Sequence, residues 1–185
     1  MMDSLFEKIE RFFERIKNMG FIKVLLLAWG IYMVWTLLVG GILLLCGATF
    51  SQNVAPTTIF KNSFLILPMA AFLEEVLFRW LPMVIISFGL LYFYRIGKLT
   101  KKHFFLVERY CLLVLVIVSS IIFGWVHGNI FNVLLQGVTG ILIFIIYLRC
   151  FFIERDKGVN DRLQIIPLAE ATIYHSLANL LSVVV

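Results

Sequence analysis

Five apolar stretches, each at least the length of a membrane-crossing helix, dominate the chain: Phe21–Cys46, Ile59–Ile96, Val107–Gly128, Ile130–Ile153 and Ile165–Val185. A helical crossing needs about 20 such residues. The second stretch is too long for one straight passage through a hydrocarbon layer about 30 Å thick. It is expected to tilt, bend or break near Pro68 and Pro82, because proline removes a backbone donor and clashes with the preceding turn. Composition agrees with a bilayer setting. Of 185 residues, 62% are hydrophobic and 15% charged, and mean hydropathy is +0.99. Soluble domains are only about 45–50% apolar. The expected fold is all-α: a polytopic transmembrane bundle of about five spans, preceded by an N-terminal interfacial helix. Residues 1–58 would supply that helix, the first span and a connection, and residues 59–185 a helical core.

Leu5, Ile9, Phe12, Phe13 and Ile16 recur at helical spacing, while Glu7, Lys8, Glu10, Arg11, Glu14, Arg15 and Lys17 occupy the other face. Such a helix lies in the membrane interface and orients the first span. The N-terminal region is too long and too acidic for a signal peptide, and no small-residue cleavage pattern follows the first apolar run. Net charge is +5, yet the basic residues lie between apolar segments and not on one polar element, so nucleic acid is not an expected partner. Fourteen of the 16 Lys and Arg residues fall in the N-terminal region or in the charged segments Arg95–Arg109 and Arg149–Arg162. By the positive-inside rule these segments are cytoplasmic, which puts the N-terminus inside and the C-terminus outside. Cys46, Cys111 and Cys150 lie at or near the ends of apolar segments without metal-ligand spacing and are expected to be free.

Three apolar segments carry polar residues at membrane depth: Glu74, Glu75 and Arg79 in the second, His127 at the end of the third, and His175 with Asn179 in the fifth. A charged side chain there costs about 2.5–3.5 kcal/mol on insertion scales, so it normally faces a protein interior and marks function. Glu75 and Arg79 are four apart and can neutralise one another on one helical face. Glu74 points about 100° away. Its partners should come from another helix, and the histidines are the candidates. A carboxylate facing neutral imidazoles is what water activation requires, with Glu as general base and His orienting water or stabilising an oxyanion. Asn179 could donate an amide hydrogen bond, Phe123 could wall the cavity, and Gly124 and Gly128 would let a neighbouring backbone approach. Taken singly, each has a plainer reading: a structural ion pair, an interfacial histidine, or packing residues.

Glu74-Glu75-Val-Leu-Phe-Arg79 reads as EExxxR, Phe123-Gly-Trp-Val-His127 as FxxxH and His175-Ser-Leu-Ala-Asn179 as HxxxN. In order and spacing these resemble the motifs of the CAAX protease and bacteriocin-processing enzyme (CPBP, or Abi) family, over about residues 68–179. The resemblance implies a helical intramembrane endopeptidase acting on a membrane-associated peptide or protein. Its relatives include prenyl-protein endopeptidases and bacterial proteins linked to bacteriocin maturation or immunity. Carried onto this chain, it makes Glu74 the general base, Glu75 a neighbour held by Arg79, His127 and His175 the water- and oxyanion-binding imidazoles, and Asn179 the amide donor. It also admits zinc held by Glu74, His127 and His175, although a metal-free Glu–His mechanism uses the same residues and is favoured. Trp80 departs from the family pattern, where glycine often follows the arginine, and is expected to reshape access to the site.

No GxSxG or HExxH occurs, and Asp3, Asp156 and Asp161 all lie outside the expected spans, which argues against serine, zincin and aspartyl intramembrane chemistry. Two further readings stand beside the protease. One is a non-enzymatic membrane immunity or binding protein that keeps the polar cluster for structure. The other is a transporter component using the cluster as a proton relay, against which stands the lack of inverted repeats. Without eukaryotic targeting signals, the expected location is a prokaryotic plasma membrane.

Overall fold

The computed structural model describes residues 11–12, 14–47, 66–128, 130–158 and 163–184, and every regular element among them is helical. The expected interfacial helix is described only from residue 11. Its earlier part, with Leu5, Ile9 and Phe13, lies outside the described residues, as does most of the connection before Ile66. Residues 11–12 and 14–17 are helical. Five longer helices follow: α1 (Phe21–Leu45), α2 (residues 66–95), α3 (Lys101–Val126), α4 (Ile130–Asp156) and α5 (Ile165–Val184).

Helices α1 to α4 are long and apolar enough to cross a membrane. Helix α5 has 20 residues but is less apolar, since it carries Glu170, His175 and Asn179. The surface fits a bilayer: Ile22, Leu37, Leu45, Leu77, Ile85 and Val126 are among many large apolar side chains left exposed. Such a continuous apolar exterior is what lipid, and not water, solvates. The chain is a membrane protein.

Helix α4 is the centre. Of its most apolar window 44% is buried, against 11–18% in the other three spans, and Leu142, Ile143, Phe144, Ile146, Tyr147 and Leu148 form the core with Leu112, Leu168, Ala171 and Tyr174. The contact between α3 and α4 is the most extensive in the molecule. Small residues explain it. A Cβ added to Gly124 would stand 2.6 Å from Val133 Cα, and one added to Gly137 would stand 3.1 Å from the Ser120 carbonyl oxygen. The backbones therefore meet directly, as apolar helices do when small residues line the seam.

Helix α2 does not break at its prolines. It runs through Pro68 and Pro82 as one element, with a widened π turn at Val76–Trp80 where the Leu81 N–H donates to the Val76 carbonyl. This extra residue in the turn immediately precedes Pro82 and absorbs the clash that a proline imposes on a regular helix. Helix α3 begins six residues before the expected boundary, at Lys101, because Thr100 caps it: the Thr100 hydroxyl accepts from the His103 N–H at 3.3 Å. Helix α4 runs on three residues beyond Ile153 to Asp156.

The basic segments gather at one end of the bundle. Lys17 donates to Asp156 at 2.7 Å, Arg155 to Glu108 at 3.1 Å, and Arg149 to the carbonyls of Ile16 and Met19 at 3.3 and 2.7 Å. Arg149, counted from sequence among the topology charges, is also a structural residue. It is 7% exposed inside α4 and also pairs with Glu170 of α5 at 3.4 Å. Its guanidinium therefore reaches the C-terminal end of the N-terminal helical turn, where the Ile16 carbonyl also accepts from the Met19 N–H at 3.1 Å. Cys46, Cys111 and Cys150 are all free thiols.

Candidate active site

Helix α2 carries Glu75 about 30 Å along its axis from Arg95, so the acidic pair sits at the end of the bundle opposite the basic cluster. There α2 and α5 run side by side, and α3 ends in the turn that holds His127. Three helices thus deliver the three motifs to one place.

Glu75 is the hub. Its Oε1 accepts from Arg79 Nη1 at 2.9 Å and from His175 Nδ1 at 2.8 Å, and all three side chains are buried. Arg79 also donates to the Gly140 carbonyl at 3.4 Å, and its guanidinium lies 4.5 Å from the centre of the Phe123 ring. Glycine at 140 lets Arg79 and α3 pack closely, since a Cβ there would stand 3.3 Å from Arg79 Nη2 and 3.2 Å from Ser120 Cα. Phe123, 1% exposed, is more than a wall. Its ring packs on Arg79, on His127 at 4.4 Å and on His175 at 5.7 Å between centroids, so it sets the spacing of cation and imidazoles.

Glu74 faces the other way, as expected from its neighbouring position in the helix. Its Oε2 stands 3.5 Å from His175 Nε2 and 3.8 Å from His127 Nε2. Those separations are too long for direct hydrogen bonds. Oε2 is buried and has no hydrogen-bond partner among the described residues. Both imidazoles are oriented from behind: His127 Nδ1 meets the Phe123 carbonyl at 2.6 Å, and His175 Nδ1 meets Glu75. A carbonyl and a carboxylate only accept, so each Nδ1 carries the proton. Nε2 of each ring is thereby directed toward Glu74. Glu75 pairs with Arg79, whereas Glu74 faces the two imidazoles, and about 30% of its side chain and of His127 stays exposed.

The structure brings Glu74, Glu75, Arg79, Phe123, His127 and His175 together. Asn179 lies one turn beyond His175 on α5 and is half-buried. Gly124 makes the expected close approach, whereas Gly128 is a turn residue at φ 147°, a conformation that suits glycine, and ends α3. The Trp80 indole N–H donates to the Leu163 carbonyl and ties the start of α5 to α2. For zinc, the candidate donors are Glu74, His127 and His175, but among the described residues no three such side chains converge as ligands of one metal ion.

Several supporting residues were not found from sequence. Asn132 donates from its amide to the His127 carbonyl and fixes the turn after α3. Gln164, buried with φ 52°, accepts from the Tyr147 hydroxyl at 2.9 Å and donates to Ser87 at 3.1 Å, setting where α5 begins. A polar residue just before an apolar run was the available signal for Gln164, and the GVTG spacing was the signal for Gly137 and Gly140. Comparison of the chain with family models, with curated proteins and with solved structures finds no match.

Proposed function

We propose that the protein is an intramembrane endopeptidase that uses a glutamate-activated water, in line with its motif resemblance to the CPBP family. The observation that carries this reading is the buried, unpartnered Glu74 Oε2 facing two imidazole nitrogens whose tautomers are fixed from behind. In this scheme Glu74 accepts a proton from the attacking water, and the hydroxide oxygen bonds to the scissile carbonyl carbon. The proton then moves by way of His175 or His127 to the leaving amine as the C–N bond breaks. Glu75 bonded to His175 Nδ1 favours the imidazolium formed in transit, the role an acid plays behind a catalytic histidine. Before the C–N bond breaks, the protonated Nε2 stabilises the oxyanion, with Asn179 as a second donor one turn along α5. Arg79 holds Glu75 and touches no substrate. No step is routed through a metal.

The substrate is a membrane-embedded or membrane-adjacent peptide, cleaved at the end of the bundle away from the basic cluster. With basic segments cytoplasmic, that end faces the outside of a prokaryotic plasma membrane. Cleavage of a panel of prenylated and leader-type membrane peptides by detergent-purified protein tests the proposal. Wild type should cleave at least one, chelator should not inhibit, and Glu74→Gln should lower the rate by about 10²–10⁴-fold without unfolding the protein. If folded wild type and variant are equally inactive on every peptide, the non-enzymatic immunity or binding reading takes its place.

A further inference from the structure

A second feature lies toward the basic end of the bundle, and neither Glu74 nor either histidine of the candidate site lines it. The N-terminal turn, α3 and α4 enclose a part-open cavity of about 350 Å³. Its lining is divided in two. Leu112, Val116, Ile141 and Ile145 form an apolar floor at membrane depth. The mouth carries Lys17, Arg109, Arg149 and Arg155 together with Glu14, Glu108 and Asp156, four cations and three carboxylates. An apolar trough whose rim is charged fits a molecule with a hydrocarbon tail and a polar head.

The rim also bears on which head. Arg155 commits one guanidinium nitrogen, Nη1, to Glu108, and Lys17 bridges Glu14 and Asp156. Positive and negative groups are therefore paired at the mouth, and no single sign dominates. A purely anionic head would meet three carboxylates. A head bearing both a phosphate and a primary ammonium meets guanidiniums with the first and carboxylates with the second, and the ammonium supplies N–H donors that a quaternary amine lacks. We infer that this cavity is a binding site for one leaflet phospholipid with a phosphoethanolamine head, its acyl chain on the α3–α4 floor and its head on the charged rim. Because Arg149 lines the cavity while holding Ile16, Met19 and Glu170, the lipid would complete the joint between the N-terminal turn and the bundle.

Native mass spectrometry of the purified full chain, delipidated and titrated separately with phosphatidylethanolamine, phosphatidylcholine and phosphatidylglycerol, tests this. One phosphatidylethanolamine should bind about tenfold more tightly than either of the others, the gap expected from one added charge-assisted contact. Ile145→Trp should fill the floor and abolish binding of all three. Glu108→Gln, at the rim, should erase the preference while leaving binding intact, which keeps the test informative if the tryptophan variant fails to fold. Equal or tighter binding of phosphatidylglycerol or phosphatidylcholine, unchanged binding by folded Ile145→Trp, or no lipid retained would each overturn the assignment.

Discussion

Arg79 and Arg149 are both buried arginines in apolar helices, and they do different work. Arg79 is fully buried, spends Nη1 on a carboxylate and stacks on Phe123, and that carboxylate in turn orients His175. Arg149 reaches two backbone carbonyls and a glutamate that keeps 26% of its side chain exposed. The first arginine fixes a polar cluster in which the buried Glu74 Oε2 faces two imidazoles and makes no hydrogen bond among the described residues. The second fixes two ends of chain together and leaves no such group. A buried charge pair therefore points to chemistry only when an unsatisfied, oriented group remains after pairing.

The sharpest way to break this comparison is Arg79→Met. Removing one side of a fully buried pair leaves Glu75 uncompensated, so unfolding in mild detergent should be easier by about 3–5 kcal/mol, with cleavage lost. Gly124→Ala comes next. Its Cβ would meet Val133 backbone at 2.6 Å, so α3 and α4 must separate, at about 1–3 kcal/mol and with weakened cleavage as His127 shifts. Arg149→Met should cost about 1–3 kcal/mol, because Glu170 can still reach polar surroundings, and proteolysis of the N-terminal turn should speed up while cleavage persists.

The smallest effect belongs to Lys17, whose pKa is raised above 10.5 by the hydrogen bonds it donates to Asp156 and, next in size, to Glu14. A raised folded pKa contributes stability below the unfolded value and loses it as pH rises through the folded one. Thermal unfolding of wild type and Lys17→Met should therefore differ by a small, constant amount from pH 6 to 9, and converge only above pH 10.5.

Much of this architecture was legible in the residues. Long apolar runs gave the helices, and the four-residue spacing of Glu75 and Arg79 gave their pairing, because helical periodicity is local. That Glu74 would face both histidines followed from its angular offset and the scarcity of other intramembrane partners. The burial of Arg149 was not legible: it lies near the end of an apolar run, where solvated charges are common, and only the fold of the N-terminal turn onto α4 buries it. The π turn was equally hidden, since Pro82 signals a disturbance and not how the helix absorbs it. Thr100 was a missed cap, masked by the apolar boundary further along α3.

The most direct measurement is single-turnover cleavage of one membrane peptide by wild type, His175→Gln and Arg149→Met, each compared at equal folded fraction. If the Glu74–His175 cluster performs chemistry and the Arg149 cluster architecture, His175→Gln should slow cleavage by about 100-fold or more, and Arg149→Met should remain close to wild type. Equal rates for His175→Gln and wild type, or equal losses in the two variants, would contradict the account.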